Sequence, residues 1–175
     1  MNPETRIYDK HWMPWLKKQL EASGIKTLTL LMPEPWKPGY EKFRDEFEKY
    51  PIDQDSILIG HSCGTSFLVR WLGESKKKIK MLILVAPWKF YGGDDKNEIS
   101  EKFYDYEIDE SIKSRVGKII MFNADNEYET GKRSLDVYKK VLGGETISLP
   151  GRGHYTLEFM KTEEFPELLD LILKA

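Results

Sequence analysis

The sequence predicts an α/β fold in which a mostly parallel sheet is covered by helices on both faces, as a three-layer α/β/α sandwich. Short apolar runs typical of strands alternate with amphipathic helical patterns along the chain. The run at residues 81–85 is apolar throughout, as expected for a strand buried on both faces. The 175 residues are enough for one domain with a substantial core, and no repeat or linker indicates a second domain.

The elements are predicted from periodicity and from turn residues. Helices are expected from Trp12 to a stop at Gly24, over residues 40–50, from Gly64 to about Trp71, over residues 135–142 and over residues 165–173. Strands are expected at residues 27–32, 57–59, 81–85, 119–122 and 146–149. Residues 87–114 have no long period and contain many aromatic and acidic side chains, so they are interpreted as a small cap-like segment of the single domain 1–175.

Composition excludes several classes of function. The 27 basic and 29 acidic residues nearly balance, so nothing in the charge points to nucleic acid or to an anionic membrane. The single cysteine excludes an intrachain disulfide framework, and there is no secretory pattern or membrane-length apolar run. We therefore expect a cytoplasmic protein, a monomer or weak homodimer.

Residues 60–64, Gly-His-Ser-Cys-Gly, join the second predicted strand to a helical pattern and match G-x-S-x-G. In this nucleophile-elbow pattern a tight turn lifts a serine hydroxyl above the end of a strand. Gly60 and Gly64 are expected to be glycine because the strand and helix backbones approach closely there. Ser62 is the predicted nucleophile. The alternative is an ordinary strand-to-helix turn with a capping serine.

A serine nucleophile needs a histidine base within hydrogen-bond reach. Of the three histidines, His154 directly follows the last predicted strand, so it should reach the same sheet edge as Ser62. His61 is adjacent to Ser62, and its side chain should point away from Ser62, either as a packing residue or as a residue that supports the site from under the elbow. His11 precedes the first helix and is interpreted as a surface or helix-start residue. His154 is therefore the predicted base.

The acid that orients the histidine should follow an earlier strand. Asp125 comes directly after the strand at residues 119–122 and is the predicted acid, with Glu127 as the runner-up. Asp136 is expected on an exposed helix face. The order along the chain is then Ser, Asp, His, which is the order found in α/β-hydrolases.

At these motifs the sequence resembles the small single-domain α/β-hydrolases of the retinoblastoma-binding-protein-9-type serine hydrolase family. The resemblance covers nearly the whole chain and implies an α/β-hydrolase fold. It also implies Ser62 as nucleophile, His154 as base, Asp125 as acid, and the Cys63 N–H as one oxyanion-hole donor. The residues that carry it are His11-Trp12 with Trp15-Leu16, residues 60–64, and Gly153-His154.

Two departures from the family pattern matter. Where relatives often have a second aspartate and a proline in the acid loop, this chain has Asn126 and Glu127, which leaves the register open by one residue. Relatives also have a first strand running into a His-Gly loop that supplies the second oxyanion donor. Here only residues 2–4 resemble the end of that loop, so the sheet is expected to lack the first strand.

Together these features predict a serine hydrolase that cleaves a small ester, thioester or amide through an acyl-enzyme on Ser62, most simply a carboxylesterase. Its partner would be a small-molecule acyl substrate. No metal or organic cofactor is expected, because one cysteine and three scattered histidines have no metal-ligand spacing. The aromatic residues of segment 87–114 could line the substrate site or pack in the core.

Two alternatives are open at this point. A catalytically weak or inactive hydrolase-fold protein could act as an interaction module through the aromatic and acidic surface of residues 87–114. Cys63 could also be the nucleophile, although its side chain, next to the apex of the elbow, should turn inward.

Overall fold

The computed structural model describes residues 11–91 and 98–175. The helices are α1 Met13–Ala22, α2 Tyr40–Phe47, α3 Cys63–Ser75, α4 Glu98–Tyr104, α5 Ile112–Arg115, α6 Glu129–Leu142, α7 Leu157–Met160 and α8 Pro166–Leu173. The strands are β1 Ile57–His61, β2 Ile79–Val85, β3 Val116–Ala124 and β4 Glu145–Leu149.

The four strands form one sheet in the order β1-β2-β3-β4, and every neighbouring pair is parallel. The expected strands at residues 57–59, 81–85, 119–122 and 146–149 are confirmed, with slightly wider bounds. Because parallel strands all point the same way, their carboxyl ends and the loops that follow lie at one edge of the sheet. The α/β class with a parallel sheet is confirmed.

The chain divides into two compact units, Met32–His154 and Met1–Leu31 with Tyr155–Ala175. The first contains the sheet. Residues Met81 to Val85 of β2 are all 4% exposed or less, so both faces of this strand are covered. Against β1 lies α3, whose buried Phe67 receives the rings of Phe43 and Phe47 edge-on. Apolar burial of this kind is the main stabilising contribution to the unit.

In the second unit, α1 packs against α8. The Trp12 ring meets the Phe165 ring edge-on, with centroids 5.6 Å apart, and Tyr155 stacks on Phe165. His11, expected at the surface or at a helix start, precedes α1, and its Nδ1 accepts a hydrogen bond from the Leu157 N–H at 2.9 Å.

The predicted strand at residues 27–32 is wrong. These residues alternate in polarity but pair with none of the strands in the described part of the chain. Leu28 and Leu31 are 52% and 48% exposed. A strand is stabilised by a ladder with a neighbour and by burial of one face, and the described residues provide neither here.

Part of the cap-like segment lies outside the described residues, namely residues 92–97. The remainder includes α4 and α5, neither of which was predicted. Phe103 in α4 is 1% exposed and meets Phe43 edge-on, so this aromatic residue belongs to the core. The Tyr106 hydroxyl shares a hydrogen bond with Tyr138 at 2.8 Å and accepts one from Ser66 at 3.1 Å, so this half-buried residue is tied to the core.

Among the described residues, no helix is both long enough and apolar enough to cross a bilayer.

Candidate active site

Ser62 lies at the turn between β1 and α3, with φ 54° and ψ −125°. Left-handed φ values cost a non-glycine residue about 1–3 kcal/mol and persist where the surrounding structure enforces them, often at functional sites. Two hydrogen bonds hold the turn: the Ser62 N–H donates to the Val85 carbonyl at 3.1 Å, and the Thr65 N–H donates to the Ser62 carbonyl at 3.0 Å. The predicted elbow is therefore present in its strained form.

The Thr65 side chain braces the same turn. Its hydroxyl donates to the Ser62 carbonyl at 2.6 Å and accepts from the Trp88 N–H at 2.9 Å. Thr65 is fully buried. One hydroxyl thus joins the elbow to the loop after β2.

The two elbow glycines differ. A Cβ on Gly60 would lie 2.8 Å from the Gly64 carbonyl oxygen and 2.9 Å from the Thr65 nitrogen, so the close approach predicted there is confirmed. A Cβ on Gly64 would meet no neighbouring atom of the described chain within 4 Å, outside its own helix backbone and its chain neighbours. The prediction that Gly64 must lack a side chain for steric reasons is wrong.

His154 lies on the loop after β4 and faces the elbow. Its Nε2 is 2.8 Å from the Ser62 Oγ, and its Nδ1 is 3.0 Å from both carboxylate oxygens of Glu127. The carboxylate can only accept, so a neutral imidazole donates from Nδ1 and leaves the Nε2 lone pair to receive the Ser62 proton. The three side chains thus have the hydrogen-bond geometry that a serine nucleophile, a base and an acid require.

The pairing of Asp125 with His154 is a correction: Glu127 occupies that position. Among the described residues, the Asp125 carboxylate accepts a hydrogen bond from the Gly151 N–H at 2.7 Å. Asp125 is exposed, whereas the Glu127 side chain is 1% exposed. Asp125 is the first residue after β3, and its short side chain contacts the Gly151 N–H. Glu127 has one more methylene and reaches His154 from the loop between β3 and α6.

A glycine in α6 makes room for this carboxylate. A Cβ on Gly131 would lie 2.7 Å from Glu127 Cγ and 2.9 Å from its Cδ. The Tyr128 N–H donates to Glu127 Oε1 at 2.8 Å, which holds the carboxylate further. The sequence shows both the longer side chain of Glu127 and the missing side chain of Gly131. Neither identifies Glu127 as the partner of His154 until the position of α6 is known.

His61 and two aromatic side chains also contact His154. His61 Nε2 is 2.8 Å from the His154 carbonyl oxygen, so Nε2 carries the proton and donates. The Trp88 ring meets the imidazole edge-on, with centroids 5.0 Å apart, and the Tyr128 ring lies 5.7 Å away. His61 therefore supports the loop that carries His154, which is one of the two roles expected for it, whereas Tyr128 was not predicted at the site.

Cys63 begins α3, so its N–H is one of the helix N-terminal donors that have no intrahelical acceptor. Its Sγ lies 4.0 Å from the Pro35 carbonyl oxygen, turned inward as expected. Burial raises the pKa of the Cys63 thiol to about 11. At neutral pH the thiol is protonated, which argues against Cys63 as a nucleophile.

We therefore expect native protein to resist iodoacetamide at about pH 7.5, because the thiolate fraction rises only as the pH approaches the raised pKa. Protein unfolded in guanidinium should alkylate readily, since an exposed thiol has a pKa of about 8.5. Intact-mass spectrometry counts the adducts, and Cys63→Ala is the unlabelled control. Rapid alkylation of the native protein would contradict the buried, neutral thiol.

No group of three or more His, Cys, Asp or Glu side chains within residues 11–91 and 98–175 has the arrangement of a metal site.

The chain is similar in sequence to a protein family and to a curated hydrolase. The serine hydrolase family model matches residues 6–172. The putative hydrolase YdeN of Bacillus subtilis is 35% identical over 80 residues, which is 43% of this chain and 42% of that protein. The aligned stretch thus spans about two fifths of the curated relative's length.

Solved structures show the same fold. The ydeN gene product of B. subtilis superposes with a TM-score of 0.81 at 20% identity, covering 95% of this chain and 91% of that one. Est1E from Butyrivibrio proteoclasticus superposes with a TM-score of 0.64 at 14% identity, covering 95% and 82%. The described sheet is a four-stranded, truncated version of the α/β-hydrolase core. From its family match and its fold, the chain belongs to the serine hydrolase family.

Proposed function

We propose that this protein is a carboxylesterase-type serine hydrolase that cleaves a small ester, and by the same chemistry a thioester or amide, through an acyl-enzyme on Ser62. The observation that carries the proposal is the continuous relay from Ser62 Oγ through His154 to Glu127. The finer kinship with retinoblastoma-binding-protein-9-type hydrolases is part of the proposal and rests on the motifs of the first helix, the elbow and Gly153-His154.

In the proposed reaction, Ser62 Oγ attacks the substrate carbonyl while its proton passes to His154 Nε2. The buried Glu127 carboxylate stabilises the imidazolium that forms. The tetrahedral intermediate collapses when the bond between the carbonyl carbon and the leaving-group oxygen breaks. His154 gives its proton to that oxygen, which departs as the alcohol. A water then repeats the sequence on the acyl-enzyme, which releases the carboxylic acid and restores the Ser62 hydroxyl.

The Cys63 N–H at the start of α3 is the proposed donor to the oxyanion. A helix N-terminus favours developing negative charge at this position. In relatives the second donor comes from a His-Gly loop. The residues that resemble the end of this loop are residues 2–4, which lie outside the described residues.

The side chains around His154 suggest the class of leaving group. Because Nε2 protonates the leaving oxygen, the leaving group must lie near the rings that flank the imidazole, Trp88 and Tyr128. Tyr128 is 53% exposed, so an apolar or aryl group can reach it. This supports modest aryl or alkyl esters, and of the segment 87–114 aromatics it favours Trp88 as a site residue.

A fluorophosphonate probe with peptide mapping tests the proposal, alongside turnover of p-nitrophenyl acetate and butyrate. The Ser62 oxygen should displace fluoride from phosphorus, which leaves one phosphonyl adduct on the peptide that contains residues 60–64. An adduct only on another peptide, or a folded protein with neither adduct nor turnover, would overturn it. The second outcome would instead favour the interaction-module alternative.

A further inference from the structure

The loop at residues 150–154, which carries His154, contains two glycines and still holds His154 within hydrogen-bond distance of Ser62. Gly151 and Gly153 flank Arg152 before His154, with φ values of 68° and 49°. Glycines with left-handed φ belong to backbone that is intrinsically free, and fixing such a loop costs conformational entropy. Catalysis nevertheless requires His154 Nε2 to remain within hydrogen-bond reach of Ser62.

Two side chains of the neighbouring loop hold those glycines. The Gly151 N–H donates to Asp125 Oδ1 at 2.7 Å, and the Gly153 N–H donates to Asn126 Oδ1 at 2.7 Å. Together with the bond from His154 to Glu127, three consecutive residues each accept a hydrogen bond from the base loop. These oxygens are spaced along the loop and fix it at successive points.

The sheet explains why the two loops run side by side. In the parallel ladder of β3 and β4, Asn123 is level with Ser148 and Ala124 is level with Leu149. Both strands therefore end together, and the loops at residues 125–127 and 150–154 leave the same sheet edge as neighbours.

We propose that Asp125 and Asn126 are positioning residues that hold the His154 loop through their side-chain oxygens. The proposal rests on the proposed function, since the loop they hold carries its base. The two residues act as hydrogen-bond acceptors, and the charge of Asp125 is not what matters. A misplacement of about 1 Å in a catalytic group can cost about 10²-fold in rate, so loosening this loop should lower kcat.

Paired substitutions separate an acceptor from a charge. Asp125→Asn keeps an oxygen that can face the Gly151 N–H, whereas Asp125→Ala removes it. Asn126→Asp and Asn126→Ala form the same pair at Gly153. We expect both alanine variants to lose about tenfold or more in kcat for p-nitrophenyl acetate with KM nearly unchanged. The Asp125→Asn and Asn126→Asp variants retain an acceptor oxygen and should keep kcat within about threefold of the wild type.

The hydrogen-exchange rates of the Gly151 and Gly153 N–H groups, measured by NMR, report on the same two hydrogen bonds and do not depend on catalysis. Exchange should accelerate in the alanine variants and stay slow in Asp125→Asn and Asn126→Asp. Asp136→Ala, at an exposed aspartate on α6, is the matched control that should change neither kcat nor exchange. Thermal unfolding checks that each variant is folded.

Distinct results would overturn the proposal. If kcat of Asp125→Asn falls as far as kcat of Asp125→Ala, the charge of Asp125 matters and its role as a simple acceptor is rejected. Alanine variants with wild-type kcat and wild-type exchange would mean that these oxygens hold nothing. If the wild type has no esterase turnover, the proposed function fails, while unchanged exchange in the alanine variants would still reject the holding role by itself.

Discussion

Ser62→Ala should reduce turnover of p-nitrophenyl acetate by about 10⁴-fold or more, toward the uncatalysed rate. The substitution removes the oxygen that lies 2.8 Å from His154 Nε2 and that would form the acyl bond. What remains of the site can polarise a carbonyl but cannot attack it. Initial rates, together with the loss of the fluorophosphonate adduct, measure the effect.

The matched control for this substitution is Ser23→Ala, at an exposed serine that directly follows α1. It should keep wild-type turnover. Alanine at position 62 keeps the same left-handed φ, so circular dichroism should show a folded protein with little change in thermal midpoint. A folded Ser62→Ala protein that still hydrolyses the ester at the wild-type rate would contradict Ser62 as nucleophile.

Glu127→Gln should lower kcat by about 10³- to 10⁴-fold, with a smaller effect on KM. A neutral amide cannot stabilise the imidazolium that forms when His154 takes the Ser62 proton. Its NH₂ group can also donate to Nδ1, which selects the imidazole tautomer with the proton on Nε2 and so blocks proton uptake there. Steady-state kinetics with p-nitrophenyl acetate measures the loss.

A second variant moves the same carboxylate without altering its chemistry. In Gly131→Ala the new Cβ would lie 2.7 Å from Glu127 Cγ, so the side chain must shift and kcat should fall even though Glu127 is present. Asp125→Asn is the matched control at the other acidic candidate and should stay active. The reverse pattern, with Glu127→Gln active and Asp125→Asn inactive, would restore Asp125 as the acid.

Most of the sheet could be predicted because its signals are local. The apolar run of β2 indicates burial on both faces, and Gly60 within the G-x-S-x-G pattern indicates a tight strand-to-helix turn. His154 could be predicted by the same logic, since it follows β4 on the next loop and parallel strands end at one edge. None of these inferences needs knowledge of which loop lies against which.

The strand expected at residues 27–32 shows the limit of this logic. Alternation describes a segment that suits a sheet, but a strand exists only where another strand offers its backbone groups. Leu28, which lies on the apolar face of the alternation, remains about half exposed, and this is the opposite of what the pattern predicts.

Residue types and their order were enough to find the candidate residues: a serine on an elbow, a histidine after the last strand, and acidic residues between them. The packing of the loops was needed to show that Glu127, rather than Asp125, contacts His154 Nδ1, and that Asp125 accepts from the Gly151 N–H instead. The physical reason is that residue type and order are local properties. The partner of a carboxylate depends on its side-chain length and direction, and on the space that Gly131 leaves once α6 packs beside the base loop.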